Sequence, residues 1–203
     1  MPRTNSTNSD RSLSIAKSAM ILQGAMQEFL EHGYAGTSMD RVAAAAGVSK
    51  ATVYSHFGDK AGLFAAMVQH LADAKFSTVF AVAHDDPDVR SALHKMANTS
   101  INEMIGNKSF RRFIRLVYGE SGRFPQLGQI FVEQYHKPGI EKLTDFLTAH
   151  PQLDLPDPEA TARIIVGAMV HFMHIQHLLH GEEIMPMEND RFLTVLLNMI
   201  PVI

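Results

Sequence analysis

Cysteine is absent from the 203 residues of this chain. The absence excludes disulfides, thiolate zinc sites and a cysteine nucleophile, and it is typical of proteins from reducing compartments. No apolar run approaches the roughly 20 residues that a membrane-spanning helix needs. The first residues, MPRTNSTNSDRSLS, lack the apolar core of a signal peptide. Together these absences predict a cytoplasmic protein with no membrane partner.

A large excess of positive charge is also missing, because the formal net charge is −3. This argues against a protein that coats nucleic acids without selectivity. The charges are unevenly distributed: residues 1–60 contain six Lys and Arg against five Asp and Glu, whereas the remainder contains 12 against 16. The slightly positive N-terminal 60 residues and the acidic remainder favour a local nucleic-acid contact near the N-terminus.

The strict alternation of apolar and polar residues that marks strands does not occur, and apolar residues recur instead with helical spacing. The pattern predicts an all-α protein of about nine helices. The first ends at Gly33, and the others span 37–46, 49–57, 60–83, 88–105, 108–120, 125–149, 158–180 and 188–199. Thr37, Ser49, Asp59 and Asp157 are the predicted N-caps, and Pro138-Gly139 predicts a kink or break.

The organisation follows from these elements. Residues 1–13 are predicted to be a disordered polar tail, and 14–59 a DNA-binding domain. Residues 60–203 are predicted to bind an effector and to dimerise.

The segment 47–60, GVSKATVYSHFGDK, lies between glycines and is rich in hydroxyl groups. Two short helices joined by Gly47-Val48-Ser49 have the form of a helix-turn-helix. In that motif the second helix enters the DNA major groove with its N-terminal residues near base edges. Its predicted exposed face consists of Lys50, Ala51, Thr52, Tyr54, Ser55 and His56.

The spacing of these residues resembles the TetR family of bacterial transcriptional regulators. The residues that carry the resemblance are Phe29, Gly33, Thr37, Val42, Ala43, Ala46, Gly47, Val48, Ser49, Thr52, Tyr54, His56, Phe57, Lys60 and Leu63. The segment FRRFIRLVYGESGRFPQLGQIF also looks like the C-terminal domain of the AefR-like branch. The resemblance implies an all-α homodimer with three N-terminal DNA-binding helices and a larger effector-binding domain.

The resemblance also implies roles for individual residues. Thr37, Thr52, Tyr54, His56 and Lys60 match positions that contact the DNA backbone, and Lys50, Ala51 and Ser55 match more variable base-reading positions. Ser38 and Ser49, at helix N-termini, complete the predicted DNA-binding set. Ala51 is a departure, because the family often has glycine there.

The predicted effector and dimer residues are apolar or histidine. For the effector pocket they are Met104, Phe113, Val117, Phe131, Ile165, Met169 and Phe172. For the dimer they are Ile164, Met169, His171, His174, Leu178, Phe192 and Leu196. The predicted function is a ligand-responsive, sequence-specific DNA-binding regulator, a repressor released from its operator by a small hydrophobic or amphipathic effector.

Two other functions stay open at this point. His171, His174, His177 and His180 suggest a metal-binding or enzymatic helix, but their i, i+3 spacing spreads them over half the helix, so they do not converge on one ion. A helical adaptor that does not bind DNA is the other alternative. Arg111, Arg112 and Arg115 are either a solvated face or a source of one partner for an anionic effector. No catalytic residue, metal or cofactor is predicted.

Overall fold

The computed structural model describes residues 6–84 and 86–201, and side chains from residue 13 onward. These residues form ten α-helical segments and no β-strand. The helices are α1 (Ser6–Gly36), α2 (Met39–Ala46), α3 (Lys50–Phe57), α4 (Lys60–Ala81), α5 (Val89–Gly106), α6 (Lys108–Ser121), α7 (Pro125–Phe131), α8 (Lys137–Thr148), α9 (Pro158–Met173) and α10 (Asn189–Asn198). Because α7 and α8 join through a π-helical turn, the described chain has nine continuous helices, as predicted.

The π-helical turn, Val132–His136, directly precedes the place where the sequence predicted a kink or break, Pro138-Gly139. Pro138 lies in the first turn of α8. Proline has no N–H to donate and its ring crowds the turn that precedes it. A widened π turn at this place accommodates both effects without ending the helix.

Helix starts agree with the predicted caps in three cases out of four. Ser49 accepts a hydrogen bond from Thr52 N, Asp59 from Gly62 N and Asp157 from Ala160 N. The prediction for Thr37 is wrong, because the cap of α2 is Ser38, which accepts from Arg41 N. The Thr37 side chain points inward and is 3% exposed.

The chain divides into two compact units. The N-terminal unit comprises Met1–His70 with Leu116–Phe131, and the C-terminal unit comprises Leu71–Arg115 with Val132–Ile203. In this division α4 and α6 each contribute to both units. The functional division after residue 59 stays a prediction from the sequence. The first five residues of the predicted polar tail lie outside the described residues, and α1 begins at Ser6, earlier than predicted.

Within the N-terminal unit, a core of aromatic residues connects α1 with α4. Phe29 and Phe64 are fully buried and Tyr34 is 5% exposed. The ring of Phe64 meets those of Phe29 and Tyr34 edge-on, at centroid distances of 5.4 and 5.7 Å. Aromatic pairs favour this arrangement, so the cluster holds the first turns of α4 against α1.

Within the C-terminal unit, arginine side chains bind the ends of helices. Arg90 donates to the carbonyl oxygen of Leu197, in the last turn of α10, and to that of Ile200, which follows the helix. Carbonyl groups at helix C-termini lack intrahelical donors, so this contact satisfies them and attaches α10 to α5. Within the described part of the chain, no helix has the combination of length and hydrophobicity that a membrane span needs.

Candidate nucleic-acid interface

The turn between α2 and α3 has the geometry of a helix-turn-helix. Gly47 adopts a left-handed conformation, with φ 66° and ψ 29°, and its N–H bonds back to the carbonyls of Ala43 and Ala44. Glycine adopts this conformation without steric cost. Ser49 then begins α3, where its hydroxyl accepts from Thr52 N and lies 2.8 Å from the Thr52 hydroxyl.

Helix α3 has one buried residue and an exposed polar face. Val53 is completely buried, whereas Ala51, Tyr54, Ser55 and His56 are exposed. Tyr54 is 44% exposed, which is unusual for a large aromatic residue without a partner surface. Because Val53 is the buried residue of α3, the predicted base-reading and backbone-contacting residues are left at least partly accessible around the rest of the helix.

Hydrogen bonds hold two of these side chains against the helix. Ser55 Oγ donates to the Thr52 carbonyl at 2.9 Å, and His56 Nδ1 lies 2.9 Å from the same oxygen. His56 Nε2 lies 3.4 Å from Ser14 Oγ on α1. His56 is therefore oriented by groups on two helices before any nucleic acid is bound.

The exposed side chain of Lys50 on α3 forms an ion pair. Its Nζ lies 2.7 Å from Asp40 Oδ1 on α2. A hydrogen bond and the charge of Asp40 raise the pKa of Lys50, so this side chain stays protonated. Both side chains are more than half exposed, and such pairs contribute little to stability. Lys50 can therefore exchange Asp40 for a phosphate or a base at small cost.

The Lys60 side chain is already bound inside the protein, which the predicted contact with the DNA backbone does not require. Its Nζ donates to the carbonyls of Tyr34 and Thr37 at 2.7 and 3.0 Å, and it lies 4.5 Å from the centroid of the Tyr34 ring. Partial burial lowers the pKa of Lys60, an effect that the charge of Glu120 opposes. An ammonium group has three donors, so one remains for a DNA phosphate.

Thr37 is used internally. Its hydroxyl donates to the carbonyls of Gly33 and Glu28 at 2.7 and 3.0 Å. These bonds satisfy carbonyl groups where α1 turns at Gly33. If Thr37 contacts DNA, its backbone rather than its hydroxyl makes the contact.

The N-terminal unit also contains a carboxylate contact that the sequence did not predict, made by Glu120. Both oxygens of Glu120 accept from Tyr34 N, at 3.0 and 3.1 Å. Gly33, with φ 69° and ψ 177°, makes room for this carboxylate. The loop-like composition of GESG gave no signal, because the partner lies 86 residues away in the chain.

The seven residues predicted to line an effector pocket are all buried. Val117 and Phe131 belong to the N-terminal unit and the other five to the C-terminal unit. None of them lines the open cavity of about 960 Å³ in the C-terminal unit. That cavity is polar, with Asn98, Asn102 and His177 beside the carboxylates of Glu182, Glu188 and Asp190.

The predicted dimer residues separate into two groups. Met169, Leu178 and Leu196 are buried inside the subunit, and Phe192 stacks on Phe172 at 4.2 Å. Ile164 and His171 are exposed on α9. Two further apolar side chains are exposed near them, Val195 on α10 at 59% and Met199 directly after α10 at 77%.

The four histidines from 171 to 180 do not share a site. His174 Nδ1 lies 2.9 Å from the Val170 carbonyl, His177 lies 3.4 Å from Glu182, and His180 adopts a left-handed conformation beyond the helix. Among the described residues, Glu28, Glu31 and His32 on α1 form the group that could hold a metal ion. It is largely exposed, and none of the four histidines contributes to it.

Comparison with known proteins identifies the family. Residues 21–67 match the family described as bacterial regulatory proteins, tetR family. Residues 91–195, about half of the chain, match the AefR-like transcriptional repressor C-terminal domain. This chain belongs to the TetR family. The family consists of transcriptional regulators rather than enzymes, and both parts of the resemblance seen in the sequence are confirmed.

Similar TetR-family proteins agree with this assignment over different lengths. The HTH-type transcriptional repressor AcnR of Corynebacterium efficiens is 42% identical over 59 residues, which are 29% of this chain and 31% of AcnR. The match therefore spans less than two thirds of that relative. A TetR-family regulator from Mesorhizobium loti MAFF303099 has the same fold, with a TM-score of 0.74, 23% identity and coverage of 93% and 98% of the two chains. The flavonoid-responsive regulator FrrA superposes with a TM-score of 0.68 at 27% identity, covering 89% and 91%.

Proposed function

We propose that this TetR-family chain is a cytoplasmic repressor that binds operator DNA as a homodimer and leaves it when a small effector binds. The observation that carries the proposal is the exposed polar surface of α3. The left-handed turn at Gly47 begins this arrangement, and the buried side chain of Val53 anchors α3 in the core. A helix so placed matches the recognition helix of a helix-turn-helix. The relative AcnR, a repressor, is 42% identical to this chain over 59 residues.

The effector part of the proposal rests on continuity along the chain. Helix α4 begins three residues after the end of α3 and continues into the C-terminal unit. A ligand that binds better to one position of α4 shifts the population toward that position, and it releases DNA only if DNA prefers the other. FrrA, whose name describes it as flavonoid-responsive, shares the fold over most of its length.

DNA binding is tested by fluorescence anisotropy on duplexes tiled across the DNA upstream of the coding sequence, beside a scrambled duplex. We expect one tile to bind at least 100-fold more tightly than the scrambled duplex, and more weakly as salt rises, since phosphate contacts release counterions.

Replacing Lys50 by alanine should lower the affinity about tenfold and reduce the salt slope by about one. Asp40→Asn should raise the affinity, because it frees Lys50 and removes a negative charge from the face.

The matched control is Lys142→Ala, which removes an exposed lysine of α8 in the C-terminal unit and should leave DNA affinity unchanged. Tyr54→Ala should weaken binding without changing the salt slope, because a phenol releases no counterion. Lys60 is a poor test residue, since its loss also removes two internal hydrogen bonds. Equal affinity for every duplex, unchanged in all variants, would refute the assignment of α3.

Dimer formation is supported by the exposed apolar residues of α9 and α10. Ile164, Val195 and Met199 are 69%, 59% and 77% exposed. Apolar residues exposed on neighbouring helices often mark an interaction surface.

We expect Ile164→Asp to convert the dimer to a monomer in sedimentation velocity and to weaken operator binding. Val132→Asp, at an equally apolar but separate exposed site, should remain dimeric; a dimeric Ile164→Asp protein would place the interface elsewhere.

A further inference from the structure

Two arginines of α6 bind the ends of other helices. Arg111 Nη1 donates to the carbonyls of Met104 and Ile105 at the end of α5. Arg115 Nη2 donates to the Leu178 carbonyl at 2.8 Å. Both guanidinium groups therefore satisfy backbone oxygens that lack intrahelical donors. Both side chains are therefore engaged in the fold.

Lys75, on α4, has no such partner. Its Nζ lies 4.8 Å from the centroid of the Phe110 ring. No hydrogen bond or ion pair joins it to any other residue in the described part of the chain. Glu103 is the acidic group that acts on it, from beyond ion-pair distance. Burial lowers the pKa of Lys75 to about 8, so the side chain is still mostly protonated at neutral pH.

A row of aromatic rings continues from this ammonium group. The Phe110 ring lies 5.6 Å from that of Tyr135, which in turn lies 5.5 Å from that of Phe76. Burial raises the pKa of the Tyr135 phenol, so this ring stays neutral. A Cβ placed on Gly139 would lie 2.9 Å from Phe76 Cζ, so the backbone of α8 closes one side of the row.

A partly buried cation without an anion is unfavourable, because burial removes water that no protein acceptor replaces. A cation–π contact with one phenylalanine offsets only part of that loss. The neighbouring rings provide the apolar surroundings that line sites for small organic molecules. An organic anion with an apolar body would fit all three features, because its acid group would supply the missing acceptor and the opposite charge while its body packs against the rings.

We propose that the C-terminal unit binds an organic anion whose acid group contacts Lys75 Nζ and whose apolar body lies along Phe110, Tyr135 and Phe76. The polar cavity of the same unit does not suit such a ligand, because three carboxylates and no lysine or arginine line it. The role of this anion as an effector rests on the proposed function. Its binding does not, and is measured on the protein without DNA.

The binding test compares acids with alcohols of the same carbon skeleton by isothermal titration calorimetry at pH 7. The pairs are octanoate with octan-1-ol and 2-naphthoate with 2-naphthylmethanol. We expect at least one acid to bind at least tenfold more tightly than its alcohol. Lys75→Met should lower the acid's affinity at least tenfold and leave the alcohol's unchanged, whereas Lys75→Arg should retain the preference for the acid.

Lys137→Met is the matched control, because Lys137 is a surface lysine of the same unit that is already paired with Glu133. It should bind the acids as the unchanged protein does. Failure of every acid to bind, or an acid preference that survives in Lys75→Met, would overturn the proposal. Loss of DNA binding alone would instead count against the proposed regulator function and leave the anion site standing.

Thermal stability gives a second readout that needs no ligand. The folded-state pKa of Lys75 is about 8 against 10.5 when exposed, so the unfolded chain binds more protons between these pH values and stability rises with pH there. Lys75→Met should therefore have the higher unfolding midpoint at pH 7, and its advantage should shrink from pH 8 to 10.5. The titratable groups near Lys75 are Glu103 and Tyr135, and burial raises the pKa of the Tyr135 phenol, so that this group stays neutral over the range. A lower midpoint for Lys75→Met at pH 7 would show that the charge is compensated within the protein and would refute the proposal.

Discussion

Replacing Gly33 by alanine is expected to lower the free energy of unfolding by about 3 kcal/mol. Two effects add. Residues other than glycine are strained by about 1–3 kcal/mol at φ 69° and ψ 177°. The new Cβ would also lie 2.4 Å from Glu120 Oε1. The carboxylate must then move away from Tyr34 N, and a lost charge-assisted hydrogen bond costs roughly 1.5–3 kcal/mol.

Urea unfolding followed by far-UV circular dichroism measures this change. Gly119→Ala is the matched control, because Gly119 precedes Glu120 in α6 and a Cβ there meets nothing within 4 Å. Alanine is the better helix former, so this control should be neutral or more stable by about 0.5–1 kcal/mol.

A double-mutant cycle separates the two causes of the Gly33 effect. Glu120→Ala removes the carboxylate that alanine at residue 33 would meet, so the double variant should be more stable than additivity predicts. Strict additivity would show that backbone strain alone accounts for the loss. A Gly33→Ala protein as stable as the parent would contradict the conformation of this residue altogether.

Replacing Phe64 by alanine should cost more, about 4 kcal/mol. Phe64 is fully buried, and its ring meets those of Phe29 and Tyr34 edge-on. Truncating a buried phenylalanine typically costs about 3–5 kcal/mol, since apolar burial is lost and a cavity remains. The loss of two aromatic contacts adds roughly 0.5–1.5 kcal/mol for each pair.

Phe80→Ala is the control for Phe64→Ala, because Phe80 is only partly buried and meets Phe76 at 6.5 Å. It should cost about half as much or less. Phe64→Leu, which leaves a smaller cavity, should fall between the two. If Phe64→Ala destabilised the protein no more than Phe80→Ala, the aromatic cluster would not be the core of the N-terminal unit.

Short-range patterns account for the parts of the fold that the sequence predicted well. The two glycines around α3 have positive φ, at 66° for Gly47 and 74° for Gly58, as expected where helices end. Asp157 begins α9, with Pro158 at its first position. In each case the residue and the groups that it serves are at most four positions apart, so the pattern contains the physical cause.

The candidate site was only partly predictable for the same reason. The exposed face of α3 follows from its periodicity around Val53. The inward direction of Thr37 does not, since its hydroxyl bonds to carbonyls of the preceding helix. The environment of Lys60 likewise depends on where Tyr34 and Thr37 place their carbonyls, and these lie more than 20 positions away.

The sequence by itself determined the all-α class, the helix-turn-helix and the family, because helical periodicity, capping and turn chemistry act over a few neighbouring residues. Only the tertiary structure decided which charges are engaged and which are not. Arg111 and Arg115 bind helix ends, Glu120 accepts from Tyr34 N, and Lys75 lies on Phe110 without an acceptor. A charged side chain acquires its partner from the packing of helices that are distant in the chain, so no local pattern contains that information.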